Sequence, residues 1–239
     1  MPTVYDHLVV FSFAVLLPAY AKWNYGRFRA RVTAGVPNAR SIQYRKTTLR
    51  QWALAAVALA VWFGGGRSAT TLGLGLPLTP GLAVSIAAAV AISLLWRAQI
   101  RAAMREPQTR EILREKLEVV APILPSTERE LSLFSVLSLT AGICEELLFR
   151  GYLIAYLSAW IPLGAAAVLS GILFGLGHLY QGGRQAVKII FVGWLFAAFY
   201  VGSGSLWVPM VLHALLDLAQ GRLAFRLTAG ERVTPTARV

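Results

Sequence analysis

Cysteine is almost absent from this 239-residue chain: Cys144 is the only one, so no disulfide can staple the fold and no CxxC spacing can bind zinc. Histidine is nearly as scarce, with three residues, and charged residues make up only 14%, against roughly 25% in an average soluble protein. What fills the chain instead is apolar, at 56% hydrophobic residues and a mean hydropathy of +0.59. A soluble core cannot absorb that much apolar surface, whereas a bilayer takes about 20 apolar residues per span. The 23 basic residues outnumber the 11 acidic ones, for a net charge of +12. In so apolar a chain this excess marks cytoplasmic loops and anionic lipid headgroups, so the lipid bilayer is an expected partner and nucleic acid is not.

Apolar runs bounded by charge, Gly or Pro predict an all-α, polytopic transmembrane helix bundle of seven spans: 4–21, 49–64, 81–96, 131–157, 163–180, 186–202 and 206–218. The last is short and the fourth long. Basic residues alternate across the loops as cytoplasmic retention of positive charge requires. Eight lie from Lys22 to Arg50, only Arg67 separates spans two and three, and seven lie from Arg97 to Arg129. Arg184 and Lys188 follow span five, and four arginines close the chain. That pattern places the amino terminus outside and the carboxyl terminus inside. The segment 97–130 has room for an eighth hydrophobic element, but Ile112, Leu113, Leu117 and Val120 at helical spacing among charges read as an amphipathic surface helix. Thr127 followed by Glu130 forms a capping box that starts the fourth span. Trp23, Trp96, Trp160 and Trp207 near span ends form an interfacial belt. His7, at the outer edge of span one, is an ordinary interfacial residue, and Cys144 a small buried hydrophobe rather than a nucleophile.

The chemistry-bearing residues are those a membrane should not contain. Within the last four spans lie Glu145, Glu146, Arg150, His178, His213 and Asp217. A charged group near the bilayer centre costs roughly 2.5–3.5 kcal/mol on insertion scales, so a set of this size must be paired, hydrated or coordinating, and marks a functional site. Glu146 with Arg150, Phe174 with His178, and His213 with Asp217 are each four residues apart and stack on one helix face. A Glu146–Arg150 ion pair leaves Glu145, about 100° around the helix, to face a cavity open to the cytoplasm. A Glu can take a proton from water while neighbours hold that water and the developing oxyanion. The same donors, Glu145, His178, His213 and Asp217, suit a catalytic zinc. Chemistry alone leaves a metal-free Glu/His mechanism and a zinc-assisted one both open.

In order along the chain, Glu145-Glu146-Leu147-Leu148-Phe149-Arg150 is an EExxxR motif, Phe174-Gly175-Leu176-Gly177-His178 an FxxxH motif, and His213-Ala214-Leu215-Leu216-Asp217 an HxxxD motif. Three ordered motifs, on spans four, five and seven, resemble the CPBP intramembrane proteases, which include type II CAAX prenyl endopeptidases and bacterial relatives tied to bacteriocin processing or immunity. The resemblance implies that Glu145 activates water, that His178 positions it or binds metal, and that His213 stabilises the oxyanion or binds metal. Glu146, Arg150 and Phe174 would shape the site. Asp217 departs from the prenyl endopeptidase form, which has Asn there. An ionised Asp cannot donate to an oxyanion, so Asp217 must be protonated, bind metal, or orient His213.

The sequence thus reads as one membrane domain, 1–239. Spans one to three occupy 1–96, a cytoplasmic amphipathic segment 97–130, a catalytic core 131–218, and a cytoplasmic tail 219–239. The expected activity is hydrolysis of a peptide or protein substrate at the membrane, lipidated if the family name holds, in a multi-pass protein of the bacterial cytoplasmic membrane. The alternative is a non-enzymatic membrane binding protein, such as an immunity protein or scaffold that keeps the motifs for structure. A proton-coupled transporter is the weakest reading, because neither internal repeats nor broken helices in matching halves are found.

Overall fold

The computed structural model describes residues 1–118 and 120–232 and is all-α, with no strand among the described residues. Eight helices follow one another: α1 Val4–Thr33, α2 Ala39–Gly64, α3 Pro80–Arg105, α4 Pro107–Glu118, α5 Glu128–Leu157, α6 Leu163–Leu176, α7 Gly183–Ser203 and α8 Trp207–Arg232. A helix occupies each of the seven expected span ranges. Four of them, α1, α3, α5 and α7, are long and apolar enough to cross a membrane by length and composition. The others fall short for separate reasons. The first turns of α2 carry Arg40, Arg45, Lys46 and Arg50, α6 has 14 residues and so spans about 21 Å, and α8 carries charge beyond Asp217.

Helix starts follow local chemistry. Thr3 and Asp6 cap α1 reciprocally: the Thr3 hydroxyl accepts from the Asp6 amide, and the Asp6 carboxylate accepts from the Thr3 amide at 2.7 Å. The Thr79 side chain caps α3, which has Pro80 in its first turn. At α5 the expected capping box is only half made. Thr127 accepts from the Glu130 amide at 3.2 Å, but the Glu130 carboxylate turns to the amide and hydroxyl of Ser126, at 2.8 and 2.7 Å. Ser126 offers two donors where the Thr127 amide offers one, so the carboxylate goes to Ser126. Helix α4 is the amphipathic surface helix, with none of its residues buried, and not an eighth span.

Helix α5 is the hub. Of its most apolar window 44% is buried inside the protein, against 17% for α1 and 11% for α3. It packs on α2 and α8, while α6 packs on α7. The crossing of α5 and α8 is close at Gly142, where an added Cβ would lie 2.7 Å from the Met210 carbonyl oxygen and 2.8 Å from the Ala214 Cβ. Gly142 therefore serves contact, and the helix runs through it without a break. Gly→Ala inside a helix ordinarily stabilises by up to about 1 kcal/mol; here Gly142→Ala is expected to destabilise by about 1–3 kcal/mol through overpacking. A rise in unfolding temperature in detergent would contradict the close crossing. Gly171 and Gly175, spaced for close helix approach, do the same on α6, facing Trp194 and Ile190 of α7.

Two segments widen into π-helix: Ser12–Leu16 in α1 and Leu147–Leu153 in α5. The first precedes Pro18, whose nitrogen has no hydrogen to give the preceding turn. The two wide segments meet, with the Phe13 ring 5.3 Å from Phe149 and 6.5 Å from Tyr152. Beyond them, buried Asp6 accepts from Arg67 at 2.7 Å and from the Tyr152 hydroxyl, clasping α1 to α5. The loop Leu72-Gly73-Leu74-Gly75 docks on the start of α8, where the Leu206 amide donates to the Gly73 carbonyl at 2.7 Å.

The outside of the bundle is apolar. Val84, Val90, Leu94 and Leu95 of α3 and Val187 and Phe191 of α7 are all more than half exposed. Continuous apolar surface of this extent has hydrocarbon, not water, as its solvent. Several expected boundaries shift: α1 runs past 21 to Thr33, α2 begins at Ala39, and α3 runs past 96 to Arg105. Helix α8 does not stop at 218 but runs on to Arg232, because Ala219–Leu227 contains good helix formers and buries Ala224 and Leu227. Residues 219–232 of the expected tail are therefore helical, and 233–239 lie outside the described residues. The fifth span ends as a helix at Leu176, and His178 follows in a turn before a short 3-10 segment, Leu179–Gln181.

Candidate active site

Three elements of the core bring the expected residues together, and a fourth supplies one that was not expected. Helix α5 presents Glu145, Glu146 and Arg150; the turn after α6 presents His178; α8 presents His213 and Asp217. Glu146 and Arg150 have no solvent exposure, and Arg150 Nη1 donates to Glu146 Oε1 at 2.9 Å across one helical turn. The same oxygen accepts from His213 Nδ1 at 2.8 Å. A carboxylate only accepts, so Nδ1 carries a proton and Nε2 is the free edge of the ring. Arg150 is fixed further by donating to the Gly193 carbonyl at 3.0 Å and by lying 4.3 Å from the Phe174 ring centre. Glu146 thus ties α5 to α8, and Arg150 ties α5 to α7.

Glu145 is left out of that network and lines a cavity of about 160 Å³ between α1, α2 and α5. His178 lines the same cavity. Its Nδ1 lies 2.8 Å from the Phe174 carbonyl oxygen, which can only accept, so Nε2 is left with a lone pair. The Phe174 ring sits between the histidines, 4.8 Å from His178 and 6.0 Å from His213. Phe196 stacks on His213 from the other side at 5.0 Å. His213 and Asp217 do not line this cavity; they approach Glu145 from α8. His213 Nε2 is 4.0 Å from Glu145 Oε2 and 3.7 Å from Asp217 Oδ2. Asp217 therefore faces Nε2, and the nitrogen that sets the orientation of His213 is held by Glu146.

Helix α2 supplies the unexpected member. Gln51 Nε2 donates to Glu145 Oε1 at 2.6 Å. A search restricted to ionisable residues passes over an amide, and the signal that marks it is a polar side chain two residues into an apolar run. Phe196 carries no such signal, being one apolar residue among many in α7. His7 bonds the Tyr156 hydroxyl at 2.6 Å and stacks on Trp160, apart from the site. Cys144 is buried.

The donor set is one that zinc accepts, and both histidines anchor their second nitrogen as zinc ligands do. The geometry does not complete a site, however: among the described residues no three His, Cys, Asp or Glu donors converge where they could hold an ion. His213 Nε2 lies 3.7 Å from the Asp217 oxygen and 4.0 Å from the Glu145 oxygen, while His178 lines the cavity that His213 and Asp217 do not border.

An apolar helical bundle with a buried acid–imidazole cluster at its centre defines a membrane protein with a site suited to hydrolysis. Residues 127–219, which carry all three motifs, match the family model of Rce1-like type II CAAX prenyl endopeptidases. The family resemblance of the motifs is borne out over that segment, and the family is one of membrane proteases. No curated protein and no solved structure matches the chain.

Proposed function

We propose that the protein is an intramembrane endopeptidase that hydrolyses a peptide bond of a membrane-associated substrate, with Glu145 as the base. The observation that carries this reading is the separation of the two adjacent glutamates. Glu146 is fully buried and its Oε1 accepts from both Arg150 and His213, its Oε2 having no partner among the described residues, whereas Glu145 lines a cavity and accepts from Gln51. Glu145 takes a proton from water, and the hydroxide attacks the substrate carbonyl. The Nε2 lone pair of His178 accepts the second hydrogen of that water and orients it. His213, with Nδ1–H on Glu146, donates from a protonated Nε2 to the tetrahedral oxyanion. The C–N bond then breaks, and Glu145 returns its proton to the leaving amine. Asp217 lies 3.7 Å from His213 Nε2. No step passes through a metal, since the donors do not converge.

The same reading sets α2, α6 and α8 across the bilayer as well, with the amino terminus outside and the cavity open to the cytoplasm, as the basic loops favour. It places the protein as a multi-pass component of a bacterial cytoplasmic membrane and takes a lipidated peptide as substrate. The test is cleavage of a farnesylated CAAX reporter peptide by the detergent-purified protein. Cleavage is expected, with the released peptide identified by mass, and it is expected to persist in 1,10-phenanthroline. Activity lost to the chelator and restored by zinc would instead require the donors to regroup around a metal. A protein that folds yet cleaves neither the reporter nor any membrane peptide that accumulates in its absence would be a binding protein, and the proposal would fall.

A further inference from the structure

The cavity in front of Glu145 is lined by two residues that each keep one buried side-chain polar atom without a partner among the described residues. Arg50 and Gln51 are consecutive on α2, and both line the cavity. Arg50 Nε and Gln51 Oε1 are buried and have no hydrogen-bond partner among the described residues. Gln51 is committed on its nitrogen side, which must face the acceptor-only Glu145 carboxylate, so its oxygen is the free atom. The Arg50 guanidinium is held only lightly: Nη2 donates to the Thr47 hydroxyl at 3.3 Å, and Cζ lies 5.1 Å from the Tyr20 ring centre. None of the ion pairs among the described residues includes Arg50.

An orphaned buried donor or acceptor costs about 1–3 kcal/mol, and more when it is charged. A guanidinium and an amide oxygen on consecutive residues lining one cavity are complementary to a ligand that brings an anion and an N–H together. A guanidinium fits the two oxygens of a carboxylate, and an amide oxygen takes a backbone N–H. The carboxyl-terminal end of a peptide offers both, within one residue of each other. A lipid phosphate would answer Arg50 but brings no amide for Gln51.

We propose that Arg50 and Gln51 form the subsite for the carboxyl-terminal residues of the substrate, with Arg50 binding the terminal carboxylate and Gln51 Oε1 accepting a backbone N–H. The peptide is thereby delivered to Glu145 from its free end, because the side chain that reads the backbone is also the one that bonds the base. Phe13, Leu17, Leu54 and Leu148 line the cavity around these two residues and receive the apolar side chains. The proposal rests on the peptidase reading, and it adds a requirement for an unblocked carboxyl terminus within a few residues of the cut. Both residues lie outside the segment that matches the protease family.

The experiment compares one farnesylated CAAX peptide with its carboxyl-terminal amide, in two measurements. The first is kcat/KM with the wild-type protein; the second is equilibrium binding of fluorescent forms to the Glu145→Gln protein, which reads the subsite without turnover. The free acid is expected to be favoured by roughly ten- to a hundredfold in both, the range of a charge-assisted hydrogen bond, with the kinetic difference mostly in KM. Arg50→Gln is expected to erase the preference by weakening the acid alone, leaving the amide unchanged. Arg50→Lys, which keeps the charge but lacks Nε, should retain a part of it and guards against loss through misfolding. Equal binding of acid and amide, a preference that survives Arg50→Gln, or binding of neither peptide would overturn the proposal. So would competition by phosphatidylglycerol that Arg50→Gln abolishes while acid and amide still bind alike. Binding that shows the acid preference in a protein that cleaves nothing would leave the subsite standing and remove the peptidase.

Discussion

Glu145→Gln is expected to lower cleavage of the reporter peptide by roughly a hundred- to ten-thousandfold while leaving the folded protein as stable as the wild type. Both halves of that expectation come from the placement of the side chain. A glutamine keeps the shape of Glu145 and still offers an oxygen to Gln51 Nε2, now at 2.6 Å. It also removes a carboxylate that no arginine pairs, since the Arg150 donors go to Glu146 and to the Gly193 carbonyl. What it cannot do is accept a proton from water at neutral pH. Rates should be measured alongside thermal unfolding in the same detergent. Residual activity within a few-fold of wild type would mean that the base is another group. A collapse in stability would mean that Glu145 holds the bundle together rather than serving chemistry.

Arg150→Met should do the opposite, with a loss of stability of about 3–5 kcal/mol, the size expected when one member of a buried ion pair is removed. For a membrane protein of this size that amounts to poor accumulation and a sharply lowered unfolding temperature. Arg150 has no solvent exposure and neither has Glu146, so the remaining carboxylate could be relieved only by His213. Combining Arg150→Met with Glu146→Gln takes away the charge left behind and is expected to recover most of the lost stability. It should not recover cleavage, because His213 Nδ1 then loses its ionised acceptor. If the double variant were as unstable as the single one, the ion pair would be secondary to packing. The stacking of Arg150 on Phe174 at 4.3 Å would then be the interaction that matters.

The helical bundle and the identity of the cluster were legible in the sequence because a bilayer penalises every charge it holds. Glu145, Glu146, His178, His213 and Asp217 stand out against apolar runs for a reason that needs no structure, and four-residue spacing alone pairs Glu146 with Arg150. The division of labour between the two glutamates was also readable as a rotation of about 100°. What the sequence could not supply was long-range pairing. That Glu146, 67 residues away, holds His213 Nδ1 depends on the close crossing of α5 and α8 at Gly142. That Gln51, 94 residues from Glu145, bonds the base depends on α2 lying against α5. Helix ends were misjudged where hydropathy stood in for helix-stop signals, as at α8, which continues on ordinary propensity and buried Ala224 and Leu227 after its apolar run ends.

The wide turns in α1 and α5 bear on how this chain is compared with others. A π-helical segment closes its hydrogen bonds over five residues instead of four, so each such turn stores one more residue than a regular helix of the same length. In α5 it follows Glu146 and leads to the end of the helix, where Tyr152 reaches Asp6 and Tyr156 reaches His7. A homologue with a regular helix there would present the same two ends with one letter fewer between them. An alignment that forbids a gap inside the helix would then match one end at the expense of the other. Placing a single-residue gap between Arg150 and Tyr152 keeps the EExxxR motif and the two tyrosines in register together, so a lone indel at this point records a change of helical pitch rather than a lost residue.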